Sequence, residues 1–273
     1  GSTSGPAAID DLRASDLGYD DGRVVRFSYA GGRTPGSAPA LPGLDASGYT
    51  SGDTQGDAVA AAARLADLVE QVAAADPQAQ VDVYAHSLGG LVTRLALAEL
   101  EARGFDLTRL GLVATIASPH GGADLATAVA ATADAPRAGP ALDAVTSVLG
   151  LGLDPDAPVV EQLSERSSLV DGLVRVGVPE GVRFLSIAAR GDVVVASPHT
   201  DVDGADEVTV PVVGLAAHST VVGSDAATAE LARALVGQPP GCEAWHDVVA
   251  DVLTGHAISA VEDDVGLMLR AAG

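Results

Sequence analysis

Apolar positions in the first half of the chain change from helical spacing to strand spacing and back again. Residues 57 to 75 predict a helix, because their apolar positions recur on one face: Val59, Leu65, Leu68, Val69 and Val72. Asp76-Pro77 ends that helix, and a short β-favouring run from Val81 follows it. A second helical segment then runs from Leu91 to Glu101. The order helix, strand, sharp turn, helix organises the rest of the prediction.

The same alternation continues through the chain. Strands are predicted over residues 23–29, 110–117, 183–188 and 207–213, and helices over residues 7–17 and 220–235, with a long loop from 30 to 56. Strands that alternate with helices predict an α/β class with a mostly parallel, doubly wound sheet. In such a sheet, functional side chains collect at the carboxyl ends of the strands.

The hydrophobic pattern also suggests a division of the chain. Residues 1–236 form the predicted α/β domain, within which the Ala/Leu-rich region 123–180 is expected to be a helical, cap-like insertion. A Gly-Pro linker at 237–241 opens a helical extension that reaches residue 273. The 47% hydrophobic content supports a substantial core, built from Ala, Val and Leu because aromatic residues make up only 3%.

Charge narrows the range of partners. The net charge is −22, from 37 acidic and 15 basic residues, and all of the basic residues are arginine. Such a field repels nucleic acid and anionic lipid, so we expect neither as a partner. No apolar run is long enough to span a membrane. The acidity is compatible with a secreted or extracellular protein, whose signal peptide would lie upstream of this chain.

The turn between the predicted strand and helix carries a candidate nucleophile. The sequence Ala85-His86-Ser87-Leu88-Gly89 places a serine at the apex, with small residues two positions before and after it. This is the pattern of a nucleophile elbow, usually written G-x-S-x-G. Its geometry exposes the serine hydroxyl and directs the Leu88 N–H to the place where an oxyanion would develop. We therefore predict Ser87 as nucleophile and Leu88 as an oxyanion donor.

A serine nucleophile needs a base, and the base needs an acid that fixes its tautomer. Asp192 follows the predicted strand 183–188, and His218 follows the next strand. Both residues would lie on the same rim of the sheet as Ser87. They also occur in the order serine, acid, histidine that nucleophile-elbow enzymes use. We predict a catalytic triad of Ser87, Asp192 and His218.

Other residues compete for these roles. His86 precedes the serine, and we predict a structural role for it. His120 follows the strand 110–117 and could shape the pocket, but it comes too early in the chain order to be the base. Asp124 is the alternative acid.

The sequence does not predict a metal site or a cofactor. Residues 201–207 form an acidic segment that faintly resembles a calcium loop, but its glycine is misplaced for an EF-hand. We interpret it as a solvated turn. Cys242, His246 and His256 lack metal-ligand spacing, and a single cysteine excludes a disulfide within the chain.

Four segments of the chain resemble bacterial α/β-hydrolase lipases and esterases, near the class of the GPI inositol-deacylase-like lipases. They are Ala-His-Ser-Leu-Gly-Gly (85–90), Ala-Ser-Pro-His-Gly-Gly (117–122), Arg-Gly-Asp-Val-Val-Val (190–195) and Ala-His-Ser-Thr-Val-Val (217–222). The resemblance implies an α/β-hydrolase fold and assigns Ser87, Asp192, His218 and the Leu88 N–H the roles given above. In that family a strand ahead of the first helix leads into a loop with the second oxyanion donor. We expect this chain to lack that strand.

These residues favour a serine hydrolase that cleaves carboxylic esters, with small-molecule or lipid esters as substrates and an acyl-enzyme as intermediate. Two alternatives remain open. An acyltransferase would use the same triad with an alcohol in place of water. A binding module on an inactive hydrolase scaffold would keep the fold without the chemistry.

Overall fold

The computed structural model describes residues 8–41, 43–123, 154, 156–214 and 216–241. Its centre is a sheet of four parallel strands in the order β1-β2-β3-β4. The strands are β1 (Val81–His86), β2 (Leu110–Ile116), β3 (Arg183–Ala189) and β4 (Asp206–Val210). Register aligns Ala85 with Thr115, and Thr115 with Ser186. The predicted α/β class with a parallel sheet is confirmed.

Seven α-helices surround the sheet in the described part of the chain. They are α1 (Ser51–Thr54), α2 (Ala58–Ala75), α3 (Leu88–Ala102), α4 (Pro158–Leu163), α5 (Ser168–Val176), α6 (Ala217–Thr220) and α7 (Asp225–Leu235). Short 3-10 turns occupy Ala8–Asp11, Ala14–Leu17, Asp21–Arg23, Leu107–Arg109 and Ser197–Thr200. Helices α2 and α7 begin at capping side chains. Asp57 accepts the N–H of Val59 at 2.8 Å, and Ser224 accepts that of Ala227 at 3.1 Å.

Two apolar layers cover the two faces of the sheet. Helices α2 to α5 pack on one face, around Leu91, Leu100, Val113 and Phe184. The other face packs against α7 and the first 3-10 turns, around Ile116, Ile187 and Leu231. The sheet is therefore doubly wound, and its central strands β2 and β3 are almost wholly buried.

Two predictions near the start of the chain are wrong. The helix predicted over residues 7–17 is not formed: its described part, residues 8–17, makes two separate 3-10 turns, ended by Gly18 at φ 87°. Residues 23–29 do not form a strand of the sheet; Phe27 only makes an isolated bridge to Arg33. The backbone of this segment bonds to the loop that follows it, as in Thr34 N–H to Arg26 O at 2.7 Å. Local pairing therefore satisfies the groups that a sheet strand would have used.

The predicted helix 220–235 also differs from the structure. Only Thr220 of its first turn is helical, as the last residue of the separate helix α6, which contains His218, and α7 begins only at Asp225. Ser224 caps α7, so the chain is interrupted between the two helices. His218 thus lies on a helical turn rather than on the loop that the sequence suggested.

Strand β1 borders an open side of the sheet. On one side it pairs with β2; on the other, the described part of the chain supplies no strand. Most of β1 is only partly buried, whereas all seven residues of β2 are buried. A parallel edge of this kind leaves backbone N–H and C=O groups without ladder partners.

The predicted cap and tail are described only in part. Residues 124–153, 155 and 242–273 lie outside the described residues, and so do Asp124, Cys242, His246 and His256. The described portion of the insertion, α4 and α5, packs into the core through Val160, Leu163 and Val170. Whether residues 123–180 cap the site remains a prediction. None of the described helices is long and apolar enough to cross a membrane.

Candidate active site

Ser87 occupies a strained turn between β1 and α3. Its backbone has φ 55° and ψ −131°, and only two other non-glycine residues among those described, Ala38 and Ala117, have positive φ. Such a conformation costs of order 1–3 kcal/mol and persists only where the surroundings enforce it. Here the Ser87 N–H bonds to Ile116 O at 3.0 Å, and Ser87 O accepts the Gly90 N–H at 2.9 Å. Both neighbours, β2 and α3, hold the serine in place.

The tightest steric constraint at this turn falls on Gly90 rather than on the predicted position Gly89. A Cβ on Gly89 would meet the Cβ of Ala85 at 3.6 Å, an ordinary contact. A Cβ on Gly90 would lie 2.4 Å from the Cβ of Ser118, which is too close for any rotamer to relieve. Gly90 is therefore the glycine that allows α3 to pack against the end of β2. The Gly-Gly pair after the serine was the available signal in the sequence.

His218 reaches Ser87 from the short helix α6. Its Nε2 lies 2.9 Å from Ser87 Oγ, and its Nδ1 lies 2.8 Å from Asp192 Oδ2. In the sequence, Ser87 lies 131 residues before His218, and Asp192 lies 26 residues before it. His218 is only 5% exposed, so its imidazole has little freedom to rotate. In this geometry Nδ1–H donates to the carboxylate, and Nε2 accepts the serine proton.

Asp192 is held as firmly as the histidine that it orients. Its carboxylate is 1% exposed, and its second oxygen, Oδ1, accepts the N–H groups of Val194 at 2.8 Å and Val195 at 3.0 Å. Gly191 allows the turn that carries it, because a Cβ there would lie 2.8 Å from Val213 Cα. The structure thus brings all three predicted residues into one hydrogen-bonded chain.

Leu88 is the first residue of α3, so its N–H has no acceptor within the helix. A helix N-terminus with free N–H groups stabilises negative charge placed against it. The backbone of Leu88 directly follows the nucleophile, which is where an oxyanion donor is needed. Residues 1–7 lie outside the described residues, and the second oxyanion donor stays a prediction.

The two other predicted histidines lie in different surroundings. His86 borders the cavity beside Ser87 and contacts His218, with ring centroids 4.8 Å apart. His120 is fully buried beside β2: its Nε2 lies 2.9 Å from Thr115 Oγ1, and its ring packs edge-on against Phe184. Burial lowers the pKa of His120 to about 3. His120 does not line the cavity, so the structure places it in the core behind the site.

The acidic segment 201–207 turns back on itself. Glu207 Oε1 accepts the Val202 N–H at 2.7 Å, which ties the start of the segment to its end. Within the described residues, no group of three or more His, Cys, Asp or Glu side chains is arranged to hold a metal ion.

A cavity of about 1310 Å³ opens at Ser87 and runs along the outer edge of β1. All six residues of β1 line it, together with Ser87, Leu88 and His218. Four apolar side chains of α2 also line it, Leu65, Leu68, Val69 and Val72, as do many residues between 8 and 54. The cavity exceeds the range of about 300–1,000 Å³ that is usual for small-molecule sites.

Comparison with known proteins agrees with this architecture. Residues 44–134 match a family model described as "Putative serine esterase (DUF676)", a segment that contains Ser87. Among solved structures, lipase B of Aspergillus fumigatus is similar at a TM-score of 0.51 and 15% identity, over 79% of this chain and 53% of that one. Phospholipase PlaB of Legionella pneumophila is similar at a TM-score of 0.47 and 11% identity, over 76% and 53%.

A lipase-esterase related protein of Clostridium acetobutylicum is similar at a TM-score of 0.43 and 12% identity, over 70% of this chain and 78% of that one. No match was found among curated protein sequences. The chain spans about half the length of the first two structures. The likeness to lipase B confirms the predicted α/β-hydrolase fold, and the match of residues 44–134 to the esterase model confirms the predicted resemblance.

Proposed function

We propose that this protein is a serine hydrolase that cleaves carboxylic esters through an acyl-enzyme intermediate. The observation that carries the proposal is the continuous chain from Ser87 Oγ to His218 Nε2, at 2.9 Å, and from His218 Nδ1 to Asp192 Oδ2, at 2.8 Å. A serine hydroxyl is a weak nucleophile unless a base can remove its proton as it attacks. His218 supplies that base, and its hydrogen bond to Asp192 fixes the tautomer.

The reaction proceeds in two halves. His218 takes the Ser87 proton while Oγ attacks the ester carbonyl, and the Leu88 N–H stabilises the oxyanion that forms. The imidazolium then protonates the departing alkoxide, which leaves as the alcohol. In the second half His218 takes a proton from water as the water oxygen attacks the acyl-serine carbonyl. The bond to Ser87 Oγ then breaks, His218 returns the proton to Oγ, and the acid is released. Asp192 keeps Nδ1 protonated throughout and stabilises the imidazolium.

The wall of the cavity supports an ester with an apolar group. Leu65 and Val69 of α2 and Val92 of α3 line it, and burying a methylene against such side chains contributes about 0.8 kcal/mol. The net charge of −22 disfavours anionic substrates in solution. We therefore propose neutral esters with aliphatic acyl chains as the substrate class.

A fluorophosphonate probe tests the proposal, because it phosphonylates a serine only when an adjacent base activates it. The protein is expected to label, and Ser87→Ala is expected to abolish the labelling. Ser219→Ala is the matched control, because this exposed serine lines the same cavity next to His218. The Ser219→Ala variant should label like the parent. A Ser87→Ala protein that labels as well as the parent would exclude the proposed nucleophile.

A series of p-nitrophenyl esters from acetate to palmitate tests the substrate class. We expect kcat/KM to rise with chain length as methylene groups enter the cavity. A maximum at acetate would argue against an aliphatic acyl site.

A further inference from the structure

His86 directly precedes the nucleophile, yet it takes no part in the chain that joins Ser87, His218 and Asp192. Its Nε2 lies 2.7 Å from the main-chain carbonyl oxygen of His218. The two imidazole rings also pack together, with centroids 4.8 Å apart and planes inclined by 48°. The His86 ring therefore makes two contacts with the proposed base: one with the backbone of His218 and one with its ring.

The hydrogen bond fixes the tautomer of His86. A carbonyl oxygen can only accept, so Nε2 of His86 must carry the proton that it donates. Burial, followed by the charge that His218 can carry, lowers the pKa of His86 to about 3. His86 is therefore neutral near pH 7, with Nε2 protonated and Nδ1 free of a proton. A neutral neighbour does not oppose the positive charge that His218 acquires during turnover.

The carbonyl of His218 needs this donor because α6 is so short. In a longer helix it would accept the N–H of Val222, four residues later. That bond is absent among the described residues. The helix ends at Thr220, and a turn closed by the Ser224 N–H bond to Val221 O follows it. An imidazole N–H from β1 thus satisfies a carbonyl that the helix leaves free.

The contact joins two elements that must keep a fixed separation. The nucleophile lies at the end of β1, and the base lies on α6, 131 residues later. Each depends on its own supports: β2 holds the serine backbone, and Asp192 holds the far nitrogen of His218. The bond from His86 links β1 directly to the backbone of the base, one residue from Ser87.

We propose that His86 is a positioning residue: its Nε2–H holds the backbone of His218, and its ring supports the ring of His218, so that the base stays within hydrogen-bond distance of Ser87. This proposal rests on the proposed function, since it assigns His86 a role in the same reaction. His86 borders the cavity, but in this assignment it makes no contact with the reacting atoms. It acts only through His218.

Two substitutions separate the hydrogen bond from the ring packing. His86→Phe keeps a planar ring but removes the donor, and His86→Gln keeps an N–H donor but removes the ring. We expect His86→Phe to lower kcat on a p-nitrophenyl ester about tenfold, the worth of one hydrogen bond, with KM nearly unchanged. His86→Gln should recover most of that loss. A kcat for His86→Phe equal to that of the parent would overturn the proposal, and so would a loss confined to KM.

A second measurement does not depend on turnover. NMR of the parent protein enriched in nitrogen-15, without the fluorophosphonate, should show His86 as the Nε2–H tautomer. That tautomer should not change between pH 8 and pH 5. A histidine at this position that titrates near its ordinary pKa of about 6.5, or that carries its proton on Nδ1, would overturn the contact on which the proposal depends. If Ser87 fails to label while His86 shows the expected tautomer, then the proposed function has failed but the contact has not. If Ser87 labels while His86 carries its proton on Nδ1, then the role of His86 has failed but the proposed function has not.

Discussion

Ser87 lies between two regions of different character, a closed side and an open side. The closed side contains His218 and Asp192, which are 5% and 1% exposed, and both side chains are hydrogen-bonded at each polar end. The open side is the outer edge of β1, where the strand is only partly buried and borders a cavity of about 1310 Å³. Strand β1 therefore ends at Ser87, which is held in place by hydrogen bonds, while the outer edge of the strand has no neighbouring strand in the described part of the chain.

The comparison teaches which contacts fix the site. On the closed side, precise placement comes from many short hydrogen bonds in a region that excludes water, where electrostatic interactions are strong. On the open side, the shape of the cavity depends on side chains from α2 and from residues 8–41, which reach β1 across the space. We expect substitutions on the closed side to affect chemistry most, and those on the open side to affect stability.

The largest effect is expected from Asp192→Asn. An asparagine of the same size can present an N–H to His218 Nδ1, which favours the wrong tautomer and removes the charge that stabilises the imidazolium. We expect kcat to fall about 10⁴-fold with little change in KM. Hydrolysis of a p-nitrophenyl ester measures this. Asp171→Asn is the control, since Asp171 lies on the exposed surface of α5, 3.7 Å from Arg175. A fall of less than tenfold for Asp192→Asn would show that the closed side does not act as a triad.

The second effect tests the packing beneath the serine. Gly90→Ala would place a methyl group 2.4 Å from the Cβ of Ser118, so α3 or the end of β2 must move. Overpacking of this kind costs about 1–3 kcal/mol, and we expect a lower melting temperature together with slower fluorophosphonate labelling.

Gly172→Ala is the matched control for Gly90→Ala. Gly172 lies within α5, and a Cβ there would have no neighbour within 4 Å. Alanine should be neutral or should stabilise α5 by about 0.5–1 kcal/mol. If both variants unfold at the same temperature as the parent, the close approach of α3 and β2 is not a constraint.

The sequence predicted the closed side better than the open side, for a physical reason. Ser87, Asp192 and His218 follow strand ends, and parallel strands bring such positions to one rim whatever the loops do. Gly90 was missed because its constraint comes from Ser118, a contact across the sheet that spacing along the chain does not reveal. The residues 23–29 were misassigned because they have strand-like composition but bond to their own following loop.

A third prediction concerns the open side. Asp82 Oδ1 accepts the Leu112 N–H at 2.6 Å, and its Oδ2 accepts the Tyr19 hydroxyl at 2.7 Å. Asp82→Ala leaves both donors without this acceptor, at a cost of about 1–3 kcal/mol for a buried donor. Denaturant unfolding should show the loss, while kcat should change little because Asp82 lies five residues before Ser87. Asp171→Ala, on the exposed surface, is expected to stay within about 0.5 kcal/mol of the parent. A large fall in kcat for Asp82→Ala would mean that the open edge also positions the nucleophile.

The smallest effect is expected from Tyr19→Phe, which removes one hydroxyl from the same cluster. Because Tyr19 donates its only proton to Asp82, Tyr84 must donate to the Tyr19 oxygen, at 2.7 Å. Losing this relay should cost about 1 kcal/mol at pH 7.

The pH dependence of that loss provides the sharper test. Burial, followed by the hydrogen bond with Tyr84, raises the pKa of Tyr19 in the folded protein above its ordinary value. The folded state then holds its proton more tightly than the unfolded state. The stability that this proton provides is present below about pH 10 and declines as the pH rises further. The parent should therefore lose stability in alkali faster than Tyr19→Phe, and the gap between them should narrow above pH 10. A gap that is constant from pH 7 to pH 11 would show that Tyr19 titrates as it would in water, and that the open side of β1 does not bury it.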